Sequence, residues 1–443
     1  MYLPHSEKDK EEMLKATGAS SFVDLIKQVP SKFLNPKYNI PEGMDEAQAA
    51  RHLAGLAEKN RKVLNFVGAG AYERYTPAAV NAIIERGEFL TAYTPYQAES
   101  SQGTLQTIYE YQSCMCALYG MDCSNASMYD GASALAEAAR AAVRVTGKKK
   151  IVYSGALNPQ YVQVMKTYFA NATEYEFVSC PLQNGKTNIE NINRTVDEKT
   201  ACFILQTPNF FGIIEDGEAI GAAVKAKGAM FVVSADPVSL GILKTPGEMG
   251  ADFATGEGQS LGLPLSYGGP YLGIFTCTKP LVRQMPGRIA GMTVDKDGKR
   301  GFVLTLQARE QHIRRDKAAS NICSNEALCA LSATIYTTLL GPEGMRELAE
   351  TNSGAAHVAA EKLTAVPGVR RTFDGEFFNE FVITLPCDAE QLRRKILAKE
   401  NIDIGLPLRQ FFPGMNNELL VCATETKTME DIDRLAKAVK ENL

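Results

Sequence analysis

No C-x-x-C pair occurs in this chain of 443 residues, although it carries ten cysteines, and it has only four histidines. Both shortages argue against a zinc site, which needs thiolates and imidazoles at short, paired spacings. Most of the cysteines sit in apolar runs, such as Cys202 in ACFIL and Cys422 in LLVCA. That suits reduced, buried thiols packing as small hydrophobes, and so a cytoplasmic protein. No stretch approaches the roughly 20 apolar residues of a membrane span, and the opening MYLPHSEKDKEEMLKATG lacks the apolar centre of a signal peptide. With a net charge of -4 and a pI near 5.8, nothing draws the chain generally to nucleic acid or anionic membrane.

What is present is enough apolar sequence, 45% of the residues, for a large core and a smaller second one, since single cores stop growing at roughly 250 to 300 residues. Ser6 with Asp9, and Ser21 with Asp24, have the capping-box spacing and open two short helices; Gly18 closes the first. A third helical pattern, DEAQAARHLAGLAEKN, follows, and 1–62 reads as an N-terminal helical arm. Strand-like runs then alternate with helical patterns: KIVYS, TEYEFVS, ACFILQ, AMFVVSA, ADFATG and YLGIFTC. Such alternation predicts an α/β domain with a mostly parallel sheet, over 63–345. Beyond a long helical stretch, FFNEFVITL and ELLVCAT with two amphipathic helices predict a small C-terminal α+β domain over 346–443.

Two segments carry chemistry with open alternatives. In MYDGASALAEAARAAVR, Asp130-Gly131-Ala132-Ser133 starts a helix with small residues, which lets backbone N–H groups approach a phosphate at the positive end of the helix dipole. Taken alone, the same residues better suit a plain N-cap and close helix packing. In AMFVVSADPVSLGIL a buried strand ends at Asp236, where parallel sheets bind ligands. Asp236 either pairs with the ring nitrogen of a pyridoxal cofactor or caps the next turn.

A glycine-rich loop before a strand, GEGQSLGLPLSYGGPYLGIFTC, completes a trio that resembles, in this order, the aspartate-aminotransferase-like fold of pyridoxal-phosphate (PLP) enzymes, fold type I. Such enzymes carry their Schiff-base lysine in the loop that here reads Gly256 to Gly262. No lysine occurs from Thr245 to Thr278. Lys244 precedes the strand ADFATG and Lys279 lies beyond YLGIFTC, so neither is placed to hold a cofactor.

Longer segments narrow the resemblance. AYTPYQAESSQGTLQTIYEYQ (92–112), SYGGPYLGIFTC with MPGRIAGMTVD (266–277 and 285–295), LQAREQHIRRDKAASNICSNEAL (306–328) and the opening YLPHSEKDKEEMLKATGASSFVDL are similar to the glycine cleavage system P-protein family, glycine decarboxylase. The resemblance covers essentially the whole chain. It implies the separate first subunit of a two-subunit enzyme, matching the N-terminal half of the longer form. The missing lysine is then a family trait: PLP is bound covalently by the partner subunit, and Asp130, Ser133 and Asp236 line a vestigial pocket.

The resemblance also implies decarboxylation of glycine and transfer of the aminomethyl group to the lipoyl arm of H-protein, an α2β2 heterotetramer, and functional association with T-protein and dihydrolipoamide dehydrogenase. Within YTPYQAESSQG, the groups expected at a shared site are Tyr96, Glu99 and Gln102: Glu99 to orient a proton donor or the substrate amine, Tyr96 to pack against cofactor or lipoyl arm. A packed subunit contact is the alternative for each. The stretch Lys279 to Lys317 holds ten Lys or Arg against four Asp or Glu, which suits either docking of the lipoyl partner or a solvated face. Two other functions stand beside this one: a self-sufficient PLP enzyme with an unrecognised lysine, and a non-catalytic scaffold or regulatory relative.

Overall fold

The computed structural model describes residues 4–34 and 36–443; Met1 to Leu3 and Asn35 of the expected N-terminal arm lie outside the described residues. The chain divides into two compact units, Met1–Arg61 and Lys62–Leu443. In the first, α1 (Glu7–Ala16) starts at a capping box in which the Ser6 hydroxyl accepts from the Asp9 N–H and the Asp9 carboxylate accepts from the Ser6 N–H. A four-residue helix, Phe22–Leu25, uses Ser21 and Asp24 the same way. Helix α2 (Glu46–Ala57) is capped by Asp45.

The second unit is built on a seven-stranded sheet. Its strands are β1 (Cys123–Ser124), β2 (Lys150–Ser154), β3 (Glu176–Cys180), β4 (Thr200–Thr207), β5 (Met230–Ala235), β6 (Phe253–Glu257) and β7 (Gly273–Cys277), in the spatial order β1, β7, β6, β5, β4, β2, β3. All neighbours from β3 to β6 are parallel, whereas β7 runs antiparallel to both β6 and β1. The apolar runs are nearly continuous because both faces are covered. Along β4, Phe203 and Leu205 face one core while Cys202 and Ile204 face another.

Helix α3 (Gln102–Tyr119) supplies Tyr111, Met115 and Tyr119 to the first core, and the alanine-rich α4 (Gly131–Thr146) covers the opposite face with Ala134, Leu135, Ala138 and Ala142. Small side chains let α4 lie close on the sheet. Helix α5 (Ala327–Thr364) is broken at Gly341, whose φ of 61° and ψ of -177° are non-helical, followed by Pro342. Its first part joins the main core through Ala330, Ala333 and Tyr336; its second part packs Ala356, Ala359 and Leu363 into the C-terminal core. The expected single helical stretch is therefore two helices, since proline cannot continue the hydrogen-bond ladder.

An antiparallel hairpin, β8 (Ile289–Val294) with β9 (Arg300–Thr305), was not expected from the sequence. The C-terminal sheet places β10 (Arg370–Arg371), β11 (Glu380–Thr384), β12 (Leu406–Pro407) and β13 (Glu418–Cys422) in the order β10, β11, β13, β12, all antiparallel. Helices Ala389–Glu400 and Met429–Asn442 cover it. Among the described residues no helix is long and apolar enough to cross a membrane.

One segment ties the two sheets together. Leu64–Asn65 pairs with Ile402–Asp403, and the Cys422 N–H donates to the Phe66 carbonyl, so the chain then runs past β11 toward the ends of β5 and β6. Gly68 permits that passage: a Cβ there would stand 2.2 Å from Glu380 Oε1 and 2.8 Å from the Cys422 Cβ. Gly68→Ala is expected to cost about 1–3 kcal/mol through this overlap, read as a lower urea midpoint of the full chain.

Candidate functional site

The carboxyl ends of β5 and β6 bring Asp236 and Glu257 to one concavity, where fold-level rules place ligands. Its other walls are Gly70 and Tyr72 from the tying segment, Tyr161, and Asn379 and Glu380 of the C-terminal sheet. The cavity among them is about 40 Å³, far below the roughly 300 Å³ or more of ordinary small-molecule sites. A larger pocket of about 320 Å³, lined by Thr207, Glu215, Lys244 and Met249 among others, shares none of these residues.

Each acid has a specific partner. Asp236 Oδ1 accepts from the Val238 N–H at 3.0 Å, and Oδ2 stands 3.9 Å from Nη2 of Arg74, whose side chain is fully buried. Arg74 Nη1 also donates to Glu425 at 2.9 Å and to Asn352, and the guanidinium lies over the Tyr72 ring. Burial pushes the Asp236 carboxyl up while the Arg74 charge draws it down. Glu380 accepts from the Ala69 N–H at 2.6 Å and the Tyr72 hydroxyl at 2.8 Å; burial drives its carboxyl to about 7 despite these donors.

Glu257 meets the helix start directly. Its Oε2 accepts from the Gly131 N–H of α4 at 2.9 Å, while Oε1 accepts from Gln259 N–H at 2.9 Å and Leu272 N–H at 3.0 Å. Burial raises this carboxyl to about 7, opposed by the three backbone donors. Gly131 admits the close approach: a Cβ there would lie 2.8 Å from the Tyr161 hydroxyl and 3.0 Å from Glu257.

Of the residues singled out by sequence, Asp236 lines this cavity, while Asp130 and Ser133 stand at the start of α4, next to the Gly131 N–H that meets Glu257. Asp130 and Ser133 form a reciprocal N-cap, with the Ser133 N–H donating to Asp130 Oδ1 at 2.6 Å and the Asp130 N–H to Ser133 Oγ at 3.1 Å. The plain capping role of the helix start is thus what the structure contains. Tyr96, Glu99 and Gln102 form a separate group. Tyr96 is exposed, edge-on to Tyr93 and beneath Arg288, and Glu99 is exposed on the short 3₁₀ turn Ala98–Ser100. The amide of Gln102 faces the hairpin: Nε2 donates to the Phe302 carbonyl at 2.9 Å and Oε1 accepts from the Phe302 N–H at 2.8 Å.

In the basic stretch, Arg309 donates to the carbonyls of Met285, Gly287 and Leu306 and is structural; Arg314, Arg315 and Lys317 are exposed. No cluster of three or more His, Cys, Asp or Glu suited to a metal occurs among the described residues. Sequence reasoning missed Arg74, Glu257 and Glu380. Single acids inside apolar runs, Glu380 in FFNEFVITL and Glu257 in the glycine-rich GEGQSLGL, were the available signal, since such residues are seldom buried without a partner. Nothing local marks Arg74.

These residues do not fit PLP on this chain. The loop Gly256 to Gly262 has no lysine, the helix start already holds a carboxylate, and the cation opposite Asp236 is already Arg74.

The family model described as glycine cleavage system P-protein matches residues 1–439. This chain belongs to that family. Among curated P-protein relatives, the probable glycine dehydrogenase (decarboxylating) subunit 1 of Maridesulfovibrio salexigens is 50% identical over 440 residues, 99% of each chain. The protein of the same description from Moorella thermoacetica is 50% identical over 441 residues, again 99% of each. A crystal structure of glycine decarboxylase (P-protein) of the glycine cleavage system, in inhibitor-bound form, superposes with a TM-score of 0.93 at 43% identity, covering 100% of both chains. A sphingosine-1-phosphate lyase of Burkholderia pseudomallei K96243, 13% identical with a TM-score of 0.68 over 93% of each chain, shares the fold alone. The architecture of this P-protein family member is therefore the aspartate-aminotransferase-like, fold-type I arrangement.

Two measurements check the buried network. Arg74→Leu leaves Asp236 and Glu425 without their cation and is expected to cost about 3–5 kcal/mol in urea unfolding. Glu380 ionises near pH 7 in the fold, above its ordinary 4.5, so the native state keeps a proton that the unfolded chain gives up. The resulting contribution is full below about pH 4.5 and is lost as pH rises to about 7. Glu380→Gln, which cannot titrate, is therefore expected to gain stability relative to wild type across that interval and to hold a constant difference above it.

Proposed function

We propose that this chain is the first of two subunits of a glycine decarboxylase, working in glycine cleavage with a second subunit that carries PLP. Full-length likeness to a solved P-protein, joined to a cofactor loop without lysine, is the observation that carries this reading. Pyridoxal phosphate then belongs to the partner, and no step of the chemistry passes through a cofactor on this chain. The pair decarboxylates glycine and passes the aminomethyl group to the lipoyl arm of H-protein, alongside T-protein and dihydrolipoamide dehydrogenase, in the cytoplasm.

This chain's part is to shape and cover the shared site. Tyr93, Tyr96, Met292 and Val294 are exposed large side chains on the segment before α3 and on the hairpin β8–β9. Exposed apolar groups of this kind suit a partner surface, and pairing as α2β2 would bury them. Tyr96 and Glu99 are the groups proposed to reach the partner's chemistry, whereas Gln102 contributes by fastening the hairpin through Phe302. The division into a large domain over 63–345 and a small one over 346–443 is proposed on the same footing.

Co-expression with a lysine-bearing second subunit tests the reading. The chain alone is expected to be colourless and inactive, the pair to show PLP absorbance, and glycine–bicarbonate exchange to need both. Full exchange from the lysine-bearing subunit alone sinks the shared site; a pair that binds PLP but never exchanges favours a scaffold. In the active pair, Glu99→Gln is expected to lower exchange about 100-fold by misplacing a reacting group, with assembly unchanged on size exclusion.

A further inference from the structure

Where the fold offers a phosphate a helix start and offers a cation an aspartate, this chain already supplies both charges itself. The N-terminus of α4, a helix of 16 residues, points its Gly131 N–H at Glu257 Oε2, 2.9 Å away. Two more backbone N–H groups, from Gln259 and Leu272, converge on the other oxygen of the same carboxylate. Three N–H donors and the positive end of a helix dipole make an anion site, and the carboxyl group of Glu257 fills it. On the far wall, Asp236 faces the fully buried guanidinium of Arg74.

We infer that Glu257 and Arg74 are built-in substitutes for the two charged ends of a cofactor, so that the site is sealed from within and takes neither phosphate nor PLP. This rests on the reading above that the cofactor belongs to the partner subunit, and adds a physical cause for it beyond the absent lysine. Space agrees with charge: the remaining cavity is about 40 Å³, room for only a few waters. The buried Ser260 Oγ, Asn379 Nδ2 and Asp236 Oδ2 have no hydrogen-bond partner among the described residues, Arg74 facing Asp236 as an ion pair only, and Asn379 and Asp236 line that cavity. Room and polar groups for water remain, and the anion position itself is taken.

Removing the internal anion should reopen the site to an external one. In Glu257→Ala the three backbone donors lose their acceptor, so the variant is expected to unfold at lower temperature than wild type. Inorganic phosphate in excess of its dissociation constant is then expected to raise the Glu257→Ala midpoint by about 2 °C or more over a chloride control of equal ionic strength. Wild type, alone and paired with its partner, is expected to show no such rise. A folded Glu257→Ala that ignores phosphate overturns the inference and leaves the partner-held cofactor standing. PLP absorbance in the wild-type chain alone overturns both.

Should Glu257→Ala fail to fold, amide exchange at Gly131 of the wild-type chain decides. Slow exchange, unchanged by phosphate, supports an internal acceptor. Fast exchange, or slowing on addition of phosphate, overturns it.

Discussion

Three carboxyl groups, those of Asp236, Glu257 and Glu380, are brought to one small cavity by three different elements, and none can be buried without a donor or a cation. The tying segment that runs from Phe66 to Arg74 meets much of that demand. It presents the Ala69 N–H and the Tyr72 hydroxyl to Glu380 and the Arg74 guanidinium to Asp236 and Glu425. A carboxylate taken from water into a poorly polar interior costs several kcal/mol unless it is compensated. The course of the segment, the glycine at position 68 and the contact between the two sheets all follow from that electrostatic requirement.

Local physics was legible in the sequence where a single segment determines the outcome. The capping boxes at Ser6 and Ser21 form as their spacing demands, and the runs KIVYS and AMFVVSA became β2 and β5 because their apolar content suits a strand covered on both faces. The hairpin β8–β9 escaped although its signal was present. Asp297-Gly298 lies between two apolar runs, and Gly298 adopts the positive φ of 77° that such a turn uses. The break in α5 was legible too, in Gly341-Pro342, but the flanking helical patterns masked it.

The site was less legible because its interactions are long-range. Arg74 meets Asp236 across 162 positions of sequence and Glu425 across 351. No periodicity or motif encodes such pairs. The residues that looked chemical, Asp130 and Ser133, spend their polar groups on each other as a cap. What the sequence did carry was an absence, the loop without lysine, and length enough in the P-protein-like segments to give the absence a meaning.

On the proposed reading, the absence of a loop lysine and the presence of Glu257 are coupled in physical terms. A bound phosphate neutralises the positive end of α4; with no phosphate, that helix end and the N–H groups of Gln259 and Leu272 need another acceptor. A glutamate at the end of β6 answers all three at once, and Arg74 balances the charge of Asp236 as an ion pair at 3.9 Å without a hydrogen bond. Once both are in place, returning a lysine to the loop would leave a site still blocked at its anion end and still neutralised at its aspartate. On the proposed reading, the division of labour between subunits is then held on this chain's side by packing and charge as well as by the absent lysine.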